Sequence, residues 1–459
     1  MKITDLINKK VHIIGINGIG MSALAIYLNK NKIDVSGSDI AKNSNTEVLN
    51  KCGIPVTIGH KEGNIKNKDI IFYSSAIKNN PELKAAKRNK IPYFNRSKLL
   101  QIICKDKFTI VVSGSHGKTS TTSILGHLLV SSGLNPTIIS GGIMKNFDKN
   151  IHLTESDYVV VEADESDGTI FKLKPNYLIY LNVDREHIDY YKSYSSLKSK
   201  IKKFILKTSK NSKVIINYDD KFLSTIHSPS KNIISFGKKA KSNYRYKNVE
   251  LKSDKSFFDF YLNNKIIKKR ISSPLLGEHN IQNLTSALSV LNELNIEINK
   301  KNIMSFKGTL RRMNILGTLN QSLLIDDYAH HPTEIQKLIE VCRLFKKKEI
   351  YLIIEPHRYT RLNDLYDEFL KTLKGIKNLN ILKTYSAGEV LSNKMKDSKN
   401  LVNDLNVIFS QQASYLDTYT EFFRLLDDLT LNNKRKIIIA AGAGSLSNQF
   451  RLYYESKKK

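Results

Sequence analysis

The chain has 459 residues, 41% of them hydrophobic and 25% charged, which is enough for two to four compact domains with a sizeable buried core. This is the composition of a soluble globular protein, and no apolar run approaches the roughly 20 residues of a membrane span. The N-terminus, MKITDLINKKVHIIGINGIG, lacks the basic, apolar and small-residue order of a secretory signal, so a cytoplasmic location is expected. Cys52, Cys104 and Cys342 lie far apart with no CxxC pair, which excludes a disulfide framework and a cysteine zinc site. The net charge of +30 raises the question of nucleic acid. The basic residues, mostly lysine, are spread along the whole chain without interleaved aromatics, so no nucleic-acid partner is expected. A solvated, lysine-rich surface that attracts small anions is the reading.

In chain order the same phrase recurs: a β-branched run, then Gly, Ser, Asp or His, then a helical pattern, which predicts parallel α/β units. The first unit runs from Val11–Ile14 through Gly15, Gly18 and Gly20 into a helix ending near Leu28. A second strand ends at Val35 and Asp39, and another, at 70–73, delivers Ser74 and Ser75. A fresh start at Phe108 places a boundary near residue 107, and strands near 158–161, 177–181 and 214–216 follow. Between about 228 and 270 short alternating pieces predict a small antiparallel excursion. A third set of units opens near Arg311, with strands near 323–325, 350–354, 379–382 and 436–440. The expected fold class is α/β in three domains: a Rossmann-like domain over 1–107, a P-loop-like domain over 108–310 with a mostly parallel sheet, and a second Rossmann-like domain over 311–459.

Two segments carry the chemistry of a nucleotide. In VVSGSHGKTSTT, residues 111–122, a strand meets a glycine turn and a helix. Gly114, Ser115, His116 and Gly117 bring backbone amides to phosphate oxygens, Lys118 adds a point charge, Thr119 offers a hydroxyl to Mg²⁺, and Ser120 follows on the first helical turn. The turn is shorter than the usual P-loop. In VVVEADESDGT, residues 159–169, a strand ends in Glu162, Asp164, Glu165 and Asp167, the oxygen-rich set that a hard cation requires. Glu162 and Glu165 are both candidate metal ligands, with the strand-end position favouring Glu162. At the next strand end, NVDREHID offers His187 as a ligand or as a residue that orients the metal.

GSHGKTSTT, EADESDGT, NVDREHID, GEHNIQN and GTLRR, in that order, resemble the Mur ligases, ATP-dependent amide-forming enzymes of peptidoglycan synthesis. GINGIGMSALA, VSGSD and YSSAI near the N-terminus, and DDYAHHPTEI, EPHRYTRL and YSAGE in the last third, resemble the branch that joins L-alanine to UDP-N-acetylmuramate. The resemblance runs through all three domains and implies ATP and Mg²⁺ as cofactors. It implies that Gly15, Gly18, Ile19, Gly20, Ser22, Asp39, Ser74 and Ser75 meet the UDP-sugar. On the residues alone, GxxGxG can cradle a pyrophosphate without implying NAD, and Asp39 closes its strand where an acid meets a ribose.

The resemblance also implies that Asn280 and Asn283, which share a helix face behind His279, lie near the adenine, and that Asp327 lies toward the ribose. Tyr328 and His330 are implied to position alanine. Arg358 and Arg361 suit its carboxylate, because a guanidinium binds such a group through two parallel bonds. Arg311 and Arg312 stand at the inferred hinge, from which a guanidinium can reach a transferring phosphoryl group. Lys118, Glu162, His187, Arg311 and Arg312 are thus the expected catalytic set, in a monomer or homodimer acting on small molecules. The chain departs from the family pattern at Ser115, Ser120, Asn17 and Ser445. The rival readings are a recycling ligase that attaches a preformed tripeptide, a nucleic-acid-dependent ATPase and a non-catalytic nucleotide-binding module.

Overall fold

The computed structural model describes residues 1–74, 76–165, 168–186, 188–228, 230–345, 349–431 and 434–458. The chain divides into two compact units. One comprises Met1–Glu250, Phe257–Pro274 and Asn280–Lys307; the other comprises Leu251–Ser256, Leu275–His279 and Gly308–Lys459.

The first unit begins with a five-stranded parallel sheet. Its order is Val56–Ile58, Asp34–Asp39, Lys10–Ile14, Ile70–Tyr73, Tyr93–Asn95. Apart from Lys10 the central strand is buried throughout, as a strand covered on both faces must be. Chain order reverses on either side of it, so the loops after residues 14 and 73 diverge and leave a crevice at the carboxyl ends of the strands. Helix Ile19–Lys30 follows the central strand and buries Ala23, Leu24, Ala25 and Leu28.

A fully buried carboxylate ties this sheet together. Glu82 accepts the Ser38 hydroxyl at 2.7 Å and the Asn64 amide at 2.6 Å, and His12 Nε2 lies 3.4 Å away. Burial alone would raise its pKa, but the bonds from His12, Ser38 and Asn64 and the charge of His12 outweigh that and lower it. A lowered carboxylate stabilises the fold above its unfolded pKa of about 4.3, and that contribution is lost as pH falls through the folded value. Glu82→Gln is therefore expected to cost about 1–3 kcal/mol at pH 7. Urea unfolding of variant and wild type should converge toward pH 3.

The same unit contains a ten-stranded sheet. Phe108–Ser113 runs parallel between Tyr177–Tyr180 and Tyr158–Glu162, and Thr137–Met144 lies parallel beyond the latter, with Lys149–His152 antiparallel at that edge. On the other side follow Lys213–Asn217 and Ile233–Gly237. The pieces expected to form an antiparallel excursion are Tyr244–Leu251, Ser256–Leu262 and Lys265–Ser273, which extend this sheet at its far edge. Pairing of Phe236 with Tyr244 joins them to it. Their period of two is visible in burial: Tyr244, Tyr246, Phe258 and Phe260 all point inward, as a half-covered surface requires.

The second unit holds a six-stranded sheet ordered Asn314–Leu319, Ser322–Asp327, Lys436–Gly442, Glu349–Glu355, Leu379–Leu382, Ser414–Leu416. Only the first strand is antiparallel to its neighbour. Apolar clusters cover both faces, one around Ile325, Ile354 and Phe369 and the other around Leu324, Phe422 and Phe450. This doubly covered parallel sheet gathers Asp327, Tyr328, His357, Tyr385 and Gly442–Ser445 at the carboxyl ends of its strands.

Candidate active site

The glycine turn at 114–117 forms because the buried strand Phe108–Ser113 must release its chain directly into helix Lys118–Ser131. Gly114 has φ +131° and a Cβ there would stand 2.9 Å from the Asn182 amide nitrogen. Gly117 caps the helix at φ +84°, and its missing Cβ leaves room for Asn283 Oδ1, 2.7 Å from where that atom would be. Asn182 holds the turn open by accepting the His116 amide at 2.8 Å and donating to the His116 carbonyl at 3.0 Å. Gly114→Ala sets a strained side chain against backbone that cannot yield, so a loss of about 1–3 kcal/mol is expected. Thermal unfolding together with ATP titration checks it, both readings falling.

Carboxylates surround the turn. Lys118, 9% exposed, donates to the Ser115 carbonyl at 3.1 Å and lies 3.1 Å from Asp164 Oδ2 and 3.8 Å from Glu165 Oε2. Burial works against its charge, but Asp164, Glu165, Glu186 and Glu162 outweigh this and push its pKa up. Thr119 donates its hydroxyl to Glu162 Oε1 at 2.9 Å, and the Gly141 amide donates to Oε2 at 2.6 Å. Glu165 is turned the other way: it is buried and accepts the Ser115 hydroxyl at 3.3 Å. The hydroxyl of Thr119 and the carboxylate of Glu162 thus form the oxygen pair that fits a small divalent cation, whereas Glu165 faces Lys118. His116 Nε2 pairs with Asp184 at 3.0 Å. Ser120 is half-buried on the first helical turn. Asn280 and Asn283 are both buried and joined to each other at 3.4 Å.

In the five-stranded sheet the glycine turn closes the central strand. Gly15, at φ +77°, donates to the Ser38 carbonyl at 2.8 Å, and a Cβ there would stand 3.1 Å from Ser74 Cβ. Gly18 caps helix Ile19–Lys30 without a side-chain bond to its amides, and Ser22 is buried on the first turn. Asp39 closes the neighbouring strand, as its sequence position suggested, with Oδ2 accepting the Asn17 amide at 2.9 Å and Oδ1 that of Ile40 at 2.8 Å. Those bonds fasten the glycine turn to the next loop. Asn17 reinforces the seam through Ala41, Asn43 and Asn45. Ser75, His187 and the side chain of Ile19 lie outside the described residues.

In the second unit Arg311 has φ +60° and donates to the Gly442 carbonyl at 2.7 Å. The guanidinium carbons of Arg311 and Arg312 lie 4.6 and 5.0 Å from the centre of the Tyr328 ring, and Arg312 pairs with Glu334 at 3.4 Å. His330 Nδ1 meets the Tyr328 carbonyl at 2.9 Å, and its ring stands 5.7 Å from that of His357, which stacks on Tyr385 at 5.3 Å. Burial first, then Arg361 and Arg358, lower the pKa of His357 to about 4, so it is neutral at physiological pH. Arg361 Nη1 reaches His357 Nδ1 at 3.4 Å; Arg358, at φ +71°, opens helix Tyr359–Asp364 and is exposed. Tyr328, His330 and Arg361 are thereby linked around His357, while Arg358 joins the group through its backbone amide, which donates to the Tyr385 carbonyl at 2.8 Å. Asp327 accepts the amides of Met313 and Ala329, both at 2.7 Å, and burial raises its pKa to about 6. Both of its oxygens thus fasten backbone of its own sheet. The pKa of His279 is lowered to about 4, chiefly by burial and then by Lys337 and Arg312.

Two residues of these sites escaped the sequence reading. Tyr385 stands under His357, and Glu355, buried at a strand end, accepts the Leu446 amide at 3.3 Å and the Tyr419 hydroxyl. EPHRY and YSAGE contained both, but nothing local distinguishes them.

The chain matches three family models in succession: the Mur ligase family catalytic domain over residues 10–108, the Mur ligase middle domain over 112–291, and the Mur ligase glutamate ligase domain over 311–444. It is 37% identical to the UDP-N-acetylmuramate–L-alanine ligase of Pelagibacter ubique, covering 97% of this chain and 98% of that protein. Among solved structures it is similar to the UDP-N-acetylmuramate-alanine ligase of Thermotoga maritima, with TM-score 0.83, 26% identity and coverage of 98% and 99%. It also shares the fold of a murein peptide ligase from Psychrobacter arcticus, with TM-score 0.69, 17% identity and 98% of each chain. Matched by three family models in succession and 37% identical to a curated relative over 97% of its length, the chain belongs to the Mur ligase family.

Proposed function

We propose that this enzyme joins L-alanine to UDP-N-acetylmuramate at the expense of ATP, in peptidoglycan precursor synthesis. The full-length likeness to the Pelagibacter ligase carries the reading. Three parts divide the work: residues 1–107 hold the UDP-sugar, 108–310 hold ATP, and 311–459 hold the amino acid. The substrates are small molecules. On this reading the protein acts in the cytoplasm as a monomer or homodimer; separately, no helix among the described residues is long and apolar enough to cross a membrane.

The lactyl carboxylate attacks the γ-phosphorus, ADP leaves, and an acyl phosphate remains. The alanine amine then attacks the acyl carbon, phosphate leaves, and the amide forms. The phosphoryl step depends mainly on alignment and charge neutralisation. Gly114, Ser115, His116, Gly117 and Ser120 cradle the phosphates and Lys118 neutralises their charge, exchanging its present carboxylate partners for phosphate oxygens. Asn280, Asn283, His279 and Asp327 attend the rest of the nucleotide. Thr119 and Glu162 would hold Mg²⁺, with His187 and Glu165 as the further candidates, and the ion would supply Lewis-acid stabilisation of phosphate charge. Arg311 and Arg312 balance charge on the transferring group. Tyr328, His330, Arg358 and Arg361 orient alanine, and the neutral His357 keeps Arg361 available to its carboxylate.

The test combines ATP, UDP-N-acetylmuramate and either L-alanine or the tripeptide, with mass spectrometry of the product and Lys118→Met as control. Amide product with alanine and none with the tripeptide is expected. Product with the tripeptide alone would move the chain to the recycling branch.

A further inference from the structure

We propose that Arg96 binds the diphosphate of the UDP-sugar. This rests on the reading of the five-stranded sheet as the UDP-sugar site and names a residue that no motif supplies. Arg96 follows the edge strand Tyr93–Asn95 and opens helix Arg96–Cys104, whose first turn is capped by Asn95. Sheet order carries it to the same carboxyl edge as Gly15, Asp39 and Ser74.

Its guanidinium lies directly on the glycine turn. A Cβ at Gly20 would stand 2.9 Å from Arg96 Cζ and Nη2 and 3.0 Å from Nε. Gly20 does not need its freedom for backbone reasons, since its φ is not positive. It sits in the first turn of a helix, where alanine is favoured over glycine. The end of the Arg96 side chain occupies the space that a Cβ at Gly20 would fill.

The guanidinium also lacks what such a group requires. Its Nε is buried without a hydrogen-bond partner, and among the described residues the side chain has no ion pair. Four other arginines have a carboxylate partner, Arg88 with Glu62, Arg270 with Glu250, Arg312 with Glu334 and Arg451 with Asp326, and what sets Arg96 apart is its seat on the glycine turn of this sheet. Asp39, the acid at the end of a nearby strand, is bonded to the amides of Asn17 and Ile40. A partly desolvated guanidinium with no counter-charge is a site for an anion. Its fork matches two phosphate oxygens, which an ammonium cannot do.

Arg96→Met is expected to raise KM for UDP-N-acetylmuramate about 10- to 100-fold, with KM for ATP and for alanine unchanged and kcat within about threefold. UDP as a competitive inhibitor should weaken by a similar factor and uridine should not, a contrast that a general loosening of the pocket would not give. Arg96→Lys should fall between and guards against a misfolded methionine variant, with thermal unfolding as the check. Gly20→Ala keeps the charge, displaces the guanidinium and favours the helix, so it should weaken UDP without lowering stability. Unchanged KM and UDP inhibition in Arg96→Met, or equal weakening of UDP and uridine, would overturn the assignment. Gly15→Val separates the two levels. If it raises KM for the UDP-sugar while Arg96→Met does not, only Arg96 is misassigned; if neither changes it, the sheet is not the UDP-sugar site.

Discussion

Lys118→Met is expected to reduce kcat by about 10²- to 10³-fold, the cost of removing one charged group aimed at developing phosphate charge. The same change has a second consequence that can be measured without substrate. Lys118 is the cation facing Asp164 and Glu165, and Glu165 is 1% exposed. Removing it takes a cation away from buried negative charge, so the protein should lose about 1–3 kcal/mol of stability at pH 7. Asp164 is partly open to solvent, which holds the loss below that of a wholly buried pair. Stopped-time phosphate release and thermal unfolding give the two numbers. Lys118→Arg should retain much of the stability and little of the activity, because the wider fork cannot occupy the space between the Ser115 carbonyl and Asp164.

Glu162→Gln is expected to reduce kcat by a comparable factor and to raise the Mg²⁺ concentration needed for half-maximal rate. Glu162 uses one oxygen for the Thr119 hydroxyl and the other for the Gly141 amide. Glutamine keeps an acceptor for one of them and presents a donor to the other. Glu165→Gln should leave the Mg²⁺ requirement near its wild-type value and act through the environment of Lys118. Initial rates across a Mg²⁺ series distinguish the two residues. A shift for Glu165→Gln with none for Glu162→Gln would reverse their roles.

Much of this fold was legible because it is written in local signals. Runs such as VHII and IIFY followed by glycine, serine or aspartate place strand and turn together, and parallel sheets follow from their repetition. GSHGKT was legible for the same reason, since the amides, lysine and hydroxyl are contiguous. What stayed hidden depends on strand order. Arg96 meets Gly20 only because the sheet runs Asp34–Asp39, Lys10–Ile14, Ile70–Tyr73, Tyr93–Asn95, which brings segments far apart in sequence to one edge. Glu82 meets His12 and Ser38 for the same reason. Glu162 and Glu165 stand three apart at one strand end, where position alone favours Glu162; in the structure Thr119 donates to Glu162 and Ser115 to Glu165. Asp327, which the resemblance places toward the ribose, is bonded to two backbone amides.

The most direct measurement uses UDP-N-acetylmuramate labelled with ¹⁸O in its lactyl carboxylate, turned over with ATP and L-alanine. Attack of that carboxylate on the γ-phosphorus, followed by amide formation, carries one labelled oxygen into the released inorganic phosphate, with ADP as the nucleotide product. Unlabelled phosphate, or label appearing in AMP with pyrophosphate released, would contradict the acyl-phosphate account.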